Sequence, residues 1–264
     1  MPALITTSPS GDEAEAREIA ARFGLAYAAR ANRLIDELLA LAGGSPVLVL
    51  SARTAELFSS TQDEHGAVQL VRRRATLGMA LMRLAHVLES EPDSLLRASG
   101  LRPGEVVIDA TLGLGCDALL AAHATGSTVI AFEKSPLLAA FTQAALRRPS
   151  GKGRLAKAAL DAGARIDVRA GDHREVLASM PDKSADVILF DPMFRAPIDA
   201  APVFDVVRDY AEMGQLSPET LLQARRVARR GVLIKDSPRG TELRRLGVTN
   251  LYARRFLFGW LDAT

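Results

Sequence analysis

Four residues, Asp191-Pro192-Met193-Phe194, follow the apolar run Val187 to Phe190 and combine groups that suit one kind of chemistry. A carboxylate next to a backbone carbonyl can accept both hydrogens of a planar amine. An exocyclic base amine delocalises its lone pair into the ring and is a poor nucleophile, so holding it in line with an electrophile is most of what a protein can contribute. Phe194 can stack on the ring and fix its plane, a contact worth about 1–3 kcal/mol for a nucleic-acid base. No general base is required, because the amine becomes acidic as the new bond forms. The plain alternative is that Asp191-Pro192 ends a strand and Phe194 packs in the core.

A second group lies upstream. The run Val106-Val107-Ile108 leads into Asp109-Ala110-Thr111-Leu112-Gly113-Leu114-Gly115. Glycines there let the backbone turn tightly and approach a ligand without a Cβ in the way. Loops that hold a methyl donor carry an acidic residue followed by glycines at three alternate positions, the first of which is Thr111 here. The next strand ends at Glu133, whose carboxylate can accept both hydroxyls of a ribose, with Lys134 beside it. After the strand around Val168 comes Gly171-Asp172-His173, where Asp172 can accept from an adenine amine. The expected cofactor set is therefore Asp109, Thr111, Gly113, Gly115, Glu133, Lys134 and Asp172. Gly113, Gly115 and Ala118 also satisfy the dinucleotide fingerprint, with Glu133 near the position of its ribose acid. Spacing alone does not separate the two; Asp109 and the Asp191 motif favour the methyl donor.

These residues need strands that end at one edge of a sheet. Val106–Ile108, 128–132, 165–168, 187–190 and 232–234 are short apolar runs without alternation, separated by helical stretches at 117–123, 136–146, 174–180 and 218–229. Such a pattern predicts a parallel sheet covered on both faces. Two last runs, 248–252 and 255–260, leave no room for a crossover helix and predict an antiparallel hairpin. The expected fold is α/β, a Rossmann-like class I methyltransferase with a mostly parallel seven-stranded sheet ending in that hairpin. Before it, strands at 4–7 and 47–50 and helices at 12–23, 32–41 and 76–88 predict a small N-terminal α/β region. The expected domains are 1–98, a small region for substrate recognition, and 99–264, the cofactor-binding domain.

Composition excludes several classes. Of 264 residues, 48% are apolar and the net charge is +2, so an ordinary core is available and a strongly basic nucleic-acid binder is not indicated. Cys116 is the only cysteine, which excludes an intrachain disulfide and a cysteine-based zinc cluster. No metal-ligand constellation is seen, the first residues do not read as a signal peptide, and no run is long enough to span a bilayer. The expectation is a soluble cytoplasmic protein with no membrane partner and no metal. Oligomeric state is not legible.

The segment Val107 to Pro136 and the Asp-Pro-Met-Phe motif at 191–194 resemble the RsmJ-type small-subunit ribosomal RNA methyltransferases, over roughly residues 101–246. The resemblance implies S-adenosyl-L-methionine as cofactor and methylation of a guanosine N2 amine in rRNA. It implies catalytic roles for Asp191, Pro192 and Phe194, and rRNA or the small ribosomal subunit as partner. Two departures bear on the nucleotide: Arg72-Arg73-Arg74 lacks the family's glycine run, and Asp236-Ser237-Pro238 replaces its basic Arg-Pro. Phosphate contacts fall to Arg195, Arg72, Arg73 and Arg74. The rival readings are an NAD-linked oxidoreductase using the glycine turn and a non-catalytic RNA-binding module.

Overall fold

The computed structural model describes residues 2–62, 66–91, 93–192, 210, 215–249, 251–253 and 256–264. The chain opens with strand β1 (Leu4–Thr7), helix α1 (Glu13–Phe23), β2 (Ala26–Tyr27), α2 (Ile35–Leu41), β3 (Val47–Leu50), β4 (Ala55–Gln62) and β5 (Val68–Arg74). Asp12 caps α1 by accepting from Ala14 and Glu15, and Gly24 ends it at φ 64°. Two helices follow, α3 (Gly78–Leu88) and α4 (Ser94–Ser99). The second half is β6 (Val107–Asp109), α5 (Cys116–Thr125), β7 (Val129–Glu133), α6 (Pro136–Leu146), α7 (Gly153–Gly163), β8 (Ile166–Ala170), α8 (His173–Ser179) and β9 (Ala185–Phe190). After β9 come α9 (Pro218–Val227), β10 (Ala228–Asp236), α10 (Thr241–Arg245), β11 (Leu251–Ala253) and β12 (Leu257–Asp262).

The strands form two sheets, one in the order β2-β1-β3-β4-β5 and one in the order β11-β12-β10-β9-β6-β7-β8. In the larger sheet β6 to β10 run parallel, and β12 lies antiparallel between β10 and β11. The expected seven-stranded sheet with its antiparallel pair is therefore present. Its order reverses at β6, flanked by β7 and β9, and a ligand crevice opens where strands diverge in this way. Both faces are buried: Val107, Val129, Val187 and Leu189 face α5 to α7, while Ile108, Ile188, Phe190 and Ile234 pack with Leu177, Leu221 and Ala224. Period-2 alternation between two covered faces gives the continuous apolar runs seen in the sequence.

One apolar cluster joins both sheets, since Ile5, Ile19 and Leu84 belong with Leu119 and Phe141. Ion pairs fasten the same seam: Arg147 and Arg148, at the end of α6, pair with Glu15 and Glu18 of α1. Helix α2 begins three residues later than the spacing predicts, and α3 two residues later. The sequence reading lacked β2, β4, β5, α4, α7 and α10. Strand β5 has no buried residue, and three consecutive arginines cut short its apolar positions Val68, Leu70 and Val71.

Candidate active site

The donor loop is built from backbone. Asp109 ends β6, and the next amide, that of Ala110, donates to Leu189 O of β9 at 2.9 Å. Gly113 and Gly115 adopt φ of 50° and 73°, left-handed values that cost an L side chain about 1–2 kcal/mol. Thr142 of α6 pins the loop by donating from Oγ1 to Gly113 O at 2.6 Å. Gly115 sits at the N-cap of α5 and offers no side-chain acceptor there.

Glu133, 7% exposed at the end of β7, accepts from the Gly113 amide at 3.1 Å and from the Ser135 amide at 2.9 Å. Each carboxylate oxygen thus holds one backbone donor and keeps acceptor capacity. Burial raises the carboxyl above the usual range despite these bonds. Asp109 is more strongly perturbed: burial, then the nearby Asp117, push it up to about 8, although Thr111 N–H donates to its Oδ1 at 3.0 Å. A ligand bearing a ribose diol and positive charge would satisfy both groups. The residues present fit S-adenosylmethionine, which carries a sulfonium, an ammonium and a ribose.

Thr111, which stands where a glycine is expected, has a structural reason to be there. Its Oγ1 accepts the Asp191 amide at 2.7 Å, which ties the end of β9 to the donor loop. The Asp191 carboxylate is in turn 2.5 Å from Lys235 Nζ of β10. Lys235 also lies 3.7 Å from Asp117 of α5, and Asp117 lies 2.5 Å from Arg83 of α3. Behind Arg83 stands Asp93, bonded through both oxygens at 3.0 Å and capping α4 with the same carboxylate. Asp117 has two cations and is held low against its burial. Asp191 shares one lysine with Asp117, so burial wins and its carboxyl is raised.

Pro192 is buried beside Asp191. Met193, Phe194 and Arg195 lie outside the described residues. Asp172 caps α8 and pairs with Arg174 and, at 3.2 Å, with Lys134; these cations hold it well below the usual range. His173 packs edge-on against Phe190 with centroids 5.6 Å apart. Arg72 and Arg74 lie on β5 in the other sheet, where both bind Glu56 across the β4–β5 ladder, at 2.6 and 3.1 Å. Arg73 falls between them on the same strand. The arginines at 225–230 are not a free basic face: Arg226 binds the Met180 and Leu177 carbonyls, and Arg230 binds Glu105 and the Ser99 carbonyl.

The sequence reading did not join Arg83 and Asp117 to the site, and it left Lys235 open between a substrate contact and a plain surface role. For Lys235 a signal existed, because it is one of five lysines in an arginine-rich chain and ends an apolar strand. For Arg83 there was none; an arginine in an amphipathic helix normally faces solvent. Among the described residues no helix is long and apolar enough to cross a membrane, and no group of three His, Cys, Asp or Glu side chains is placed to hold a metal.

Sheet order and donor loop define a class I methyltransferase. The family model described as "Putative SAM-dependent methyltransferase" matches residues 39–246. The chain is 30% identical over 260 residues to the uncharacterized protein YpiP of Bacillus subtilis, covering 97% of this chain and 96% of that one. It is 34% identical over 225 residues to ribosomal RNA small subunit methyltransferase J of Thioalkalivibrio sulfidiphilus, covering 81% and 85%. Among solved structures, the SAM-dependent methyltransferase NGO1261 of Neisseria gonorrhoeae superposes with a TM-score of 0.64 at 20% identity, covering 98% of this chain and 95% of that one, a likeness of fold. The chain belongs to the SAM-dependent methyltransferase family, and its cofactor is S-adenosylmethionine.

Proposed function

We propose that this methyltransferase modifies the exocyclic amine of a guanosine in small-subunit ribosomal RNA. The observation that carries the reading is the fastening of Asp191 to the donor loop: its amide is bonded to Thr111 Oγ1, so a carboxylate able to receive an amine is held against that loop. The name of the Thioalkalivibrio relative supports the rRNA substrate.

The residues divide the work. Glu133, Gly113 and Gly115 hold the donor, with Asp109 meeting its positive charge; Lys134 and Asp172 flank the adenine side. The bound cofactor supplies an electrophilic methyl on sulfur. Asp191 and the Pro192 carbonyl accept the amine hydrogens and aim the nitrogen lone pair, and Phe194 stacks on the base. The nitrogen–carbon bond forms as the sulfur–carbon bond breaks, and the excess proton on nitrogen leaves to solvent. Arg72, Arg73, Arg74 and Arg195 serve the RNA phosphates, with residues 1–98 as the recognition region.

The test is methyl transfer from labelled S-adenosylmethionine to small-subunit rRNA and to assembled subunits, with digestion and mass spectrometry of the nucleosides. N2-methylguanosine that disappears with Asp191→Ala supports the reading. Methylation of another atom, or an unchanged rate in that variant, overturns it. RNA binding without any methyl transfer would favour the non-catalytic module.

A further inference from the structure

The charged chain behind the site ends on the residue assigned to the substrate amine. Its members are buried along most of their length: side-chain exposure is 10% at Asp93, 19% at Arg83, 7% at Asp117 and 15% at Lys235, rising to 34% only at Asp191. Burying alternating charges costs desolvation that their attraction barely offsets, so such a chain is weak evidence of stabilisation. Other arginines in this fold end on backbone carbonyls and staple elements together. This chain instead delivers its charge to one partly open carboxylate. Lys235 has no reach to spare for a substrate, since it touches two carboxylates and lies 4.9 Å over the Phe256 ring.

We propose that Lys235, backed by Asp117 and Arg83, is the positioning residue for Asp191: it occupies Oδ2 and favours the charged form of the carboxylate, which leaves Oδ1 to receive the amine. The inference rests on the amine-directed reading of the site. Asp191 faces Lys235 from β10, Asp117 and the Cys116 thiol from α5, Arg83 from α3 and Asp109 from β6. Without Lys235, Asp191 keeps the carboxyls of Asp117 and Asp109 around it, while the Arg83 guanidinium is already committed to Asp117 and Asp93. Asp191 then takes up a proton, and a protonated oxygen donates where it should accept. The structure also gives Arg83, which precedes the larger sheet in sequence, a reason to be wired to the active centre: it neutralises Asp117, which would otherwise draw Lys235 away.

The experiment uses the full chain with Lys235→Met, Lys235→Gln and Asp191→Ala. It measures S-adenosylmethionine affinity by calorimetry and single-turnover methylation of small-subunit rRNA from about pH 6 to 9. Loss of a charged hydrogen bond predicts a rate about 10- to 100-fold lower for both Lys235 variants near neutral pH, with cofactor affinity little changed. The acid limb of the profile should move to higher pH, and part of the rate should return on raising the pH. Where the Met variant does not fold, the Gln variant carries the test, because it keeps a polar donor, one bond shorter, without the charge. An acid limb identical to the wild type, or a rate loss fully explained by lost cofactor binding, overturns the proposal. If Asp191→Ala methylates at the wild-type rate, the amine reading itself fails. If that variant is inactive while both Lys235 variants are normal, only the positioning role fails.

Discussion

Replacing Asp109 by Asn should stabilise the cofactor-free protein and do so increasingly as pH rises. Asp109 is 2% exposed and its carboxyl is pushed up to about 8, against about 3.8 for an ordinary aspartate. Between these values the unfolded chain has released the proton and the folded chain keeps it, so folding becomes less favourable with rising pH. The cost is about 1.4 kcal/mol for each pH interval of one, or about 2–3 kcal/mol between pH 5 and pH 7. Above pH 8 both states are ionised and the dependence levels off. Asn removes the titration but keeps an oxygen for the Thr111 amide. Urea denaturation of wild type and Asp109→Asn at pH 5 and pH 7 should show the variant gaining on the wild type by that amount. Parallel pH dependences would refute the reasoning. The same logic predicts that binding the cationic cofactor at pH 7 ionises Asp109 and releases close to one proton, visible as a buffer-dependent heat that the variant lacks.

Other outcomes follow from the donor loop and from β5. Glu133→Gln should weaken S-adenosylmethionine binding by about 10- to 100-fold, read by calorimetry, because it loses a charged acceptor shared with two backbone amides. Gly115→Ala should lower the thermal midpoint more than Gly113→Ala. Both pay the left-handed backbone cost of about 1–2 kcal/mol, but only at 115 would the new Cβ meet Thr142 Cγ2, at 3.1 Å. Glu56→Gln should tighten RNA binding and steepen its salt dependence, because it frees Arg72 and Arg74 for phosphates. A filter-binding titration against salt that shows no change would remove β5 from the RNA surface.

The larger sheet was legible because its strands are buried on both faces, so 187–190 and 232–234 stand out as apolar runs between helices. The loop from Asp109 to Gly115 and the acid at Glu133 were legible because glycines and carboxylates at strand ends have few other uses. Strand β5 was not, since Val68 and Leu70 are exposed at 69% and 50% and its arginines break any alternation. The Arg83–Asp117–Lys235 chain was hidden for a different reason. Its members lie 34 and 118 residues apart in sequence, by the numbering 83, 117 and 235, and each is unremarkable within its own element. Thr111 departs from the glycine pattern, and its hydroxyl receives the Asp191 amide, a partner far away in sequence.

The position of β12 bears on how the protein is made. The edge of β10 that carries Lys235 is covered by β12, although residues 257–262 come last among the strands and β11 has already been laid down. During synthesis the donor loop and its neighbours β6 to β9 can assemble while β10 still presents an unpaired edge. An unpaired edge is a site for wrong partners. The half that holds the cofactor can therefore form before the half that tunes Asp191. A nascent chain halted before residue 257 leaves the ribosome would have its donor loop, but the strand bearing Lys235 would have no partner on its outer side.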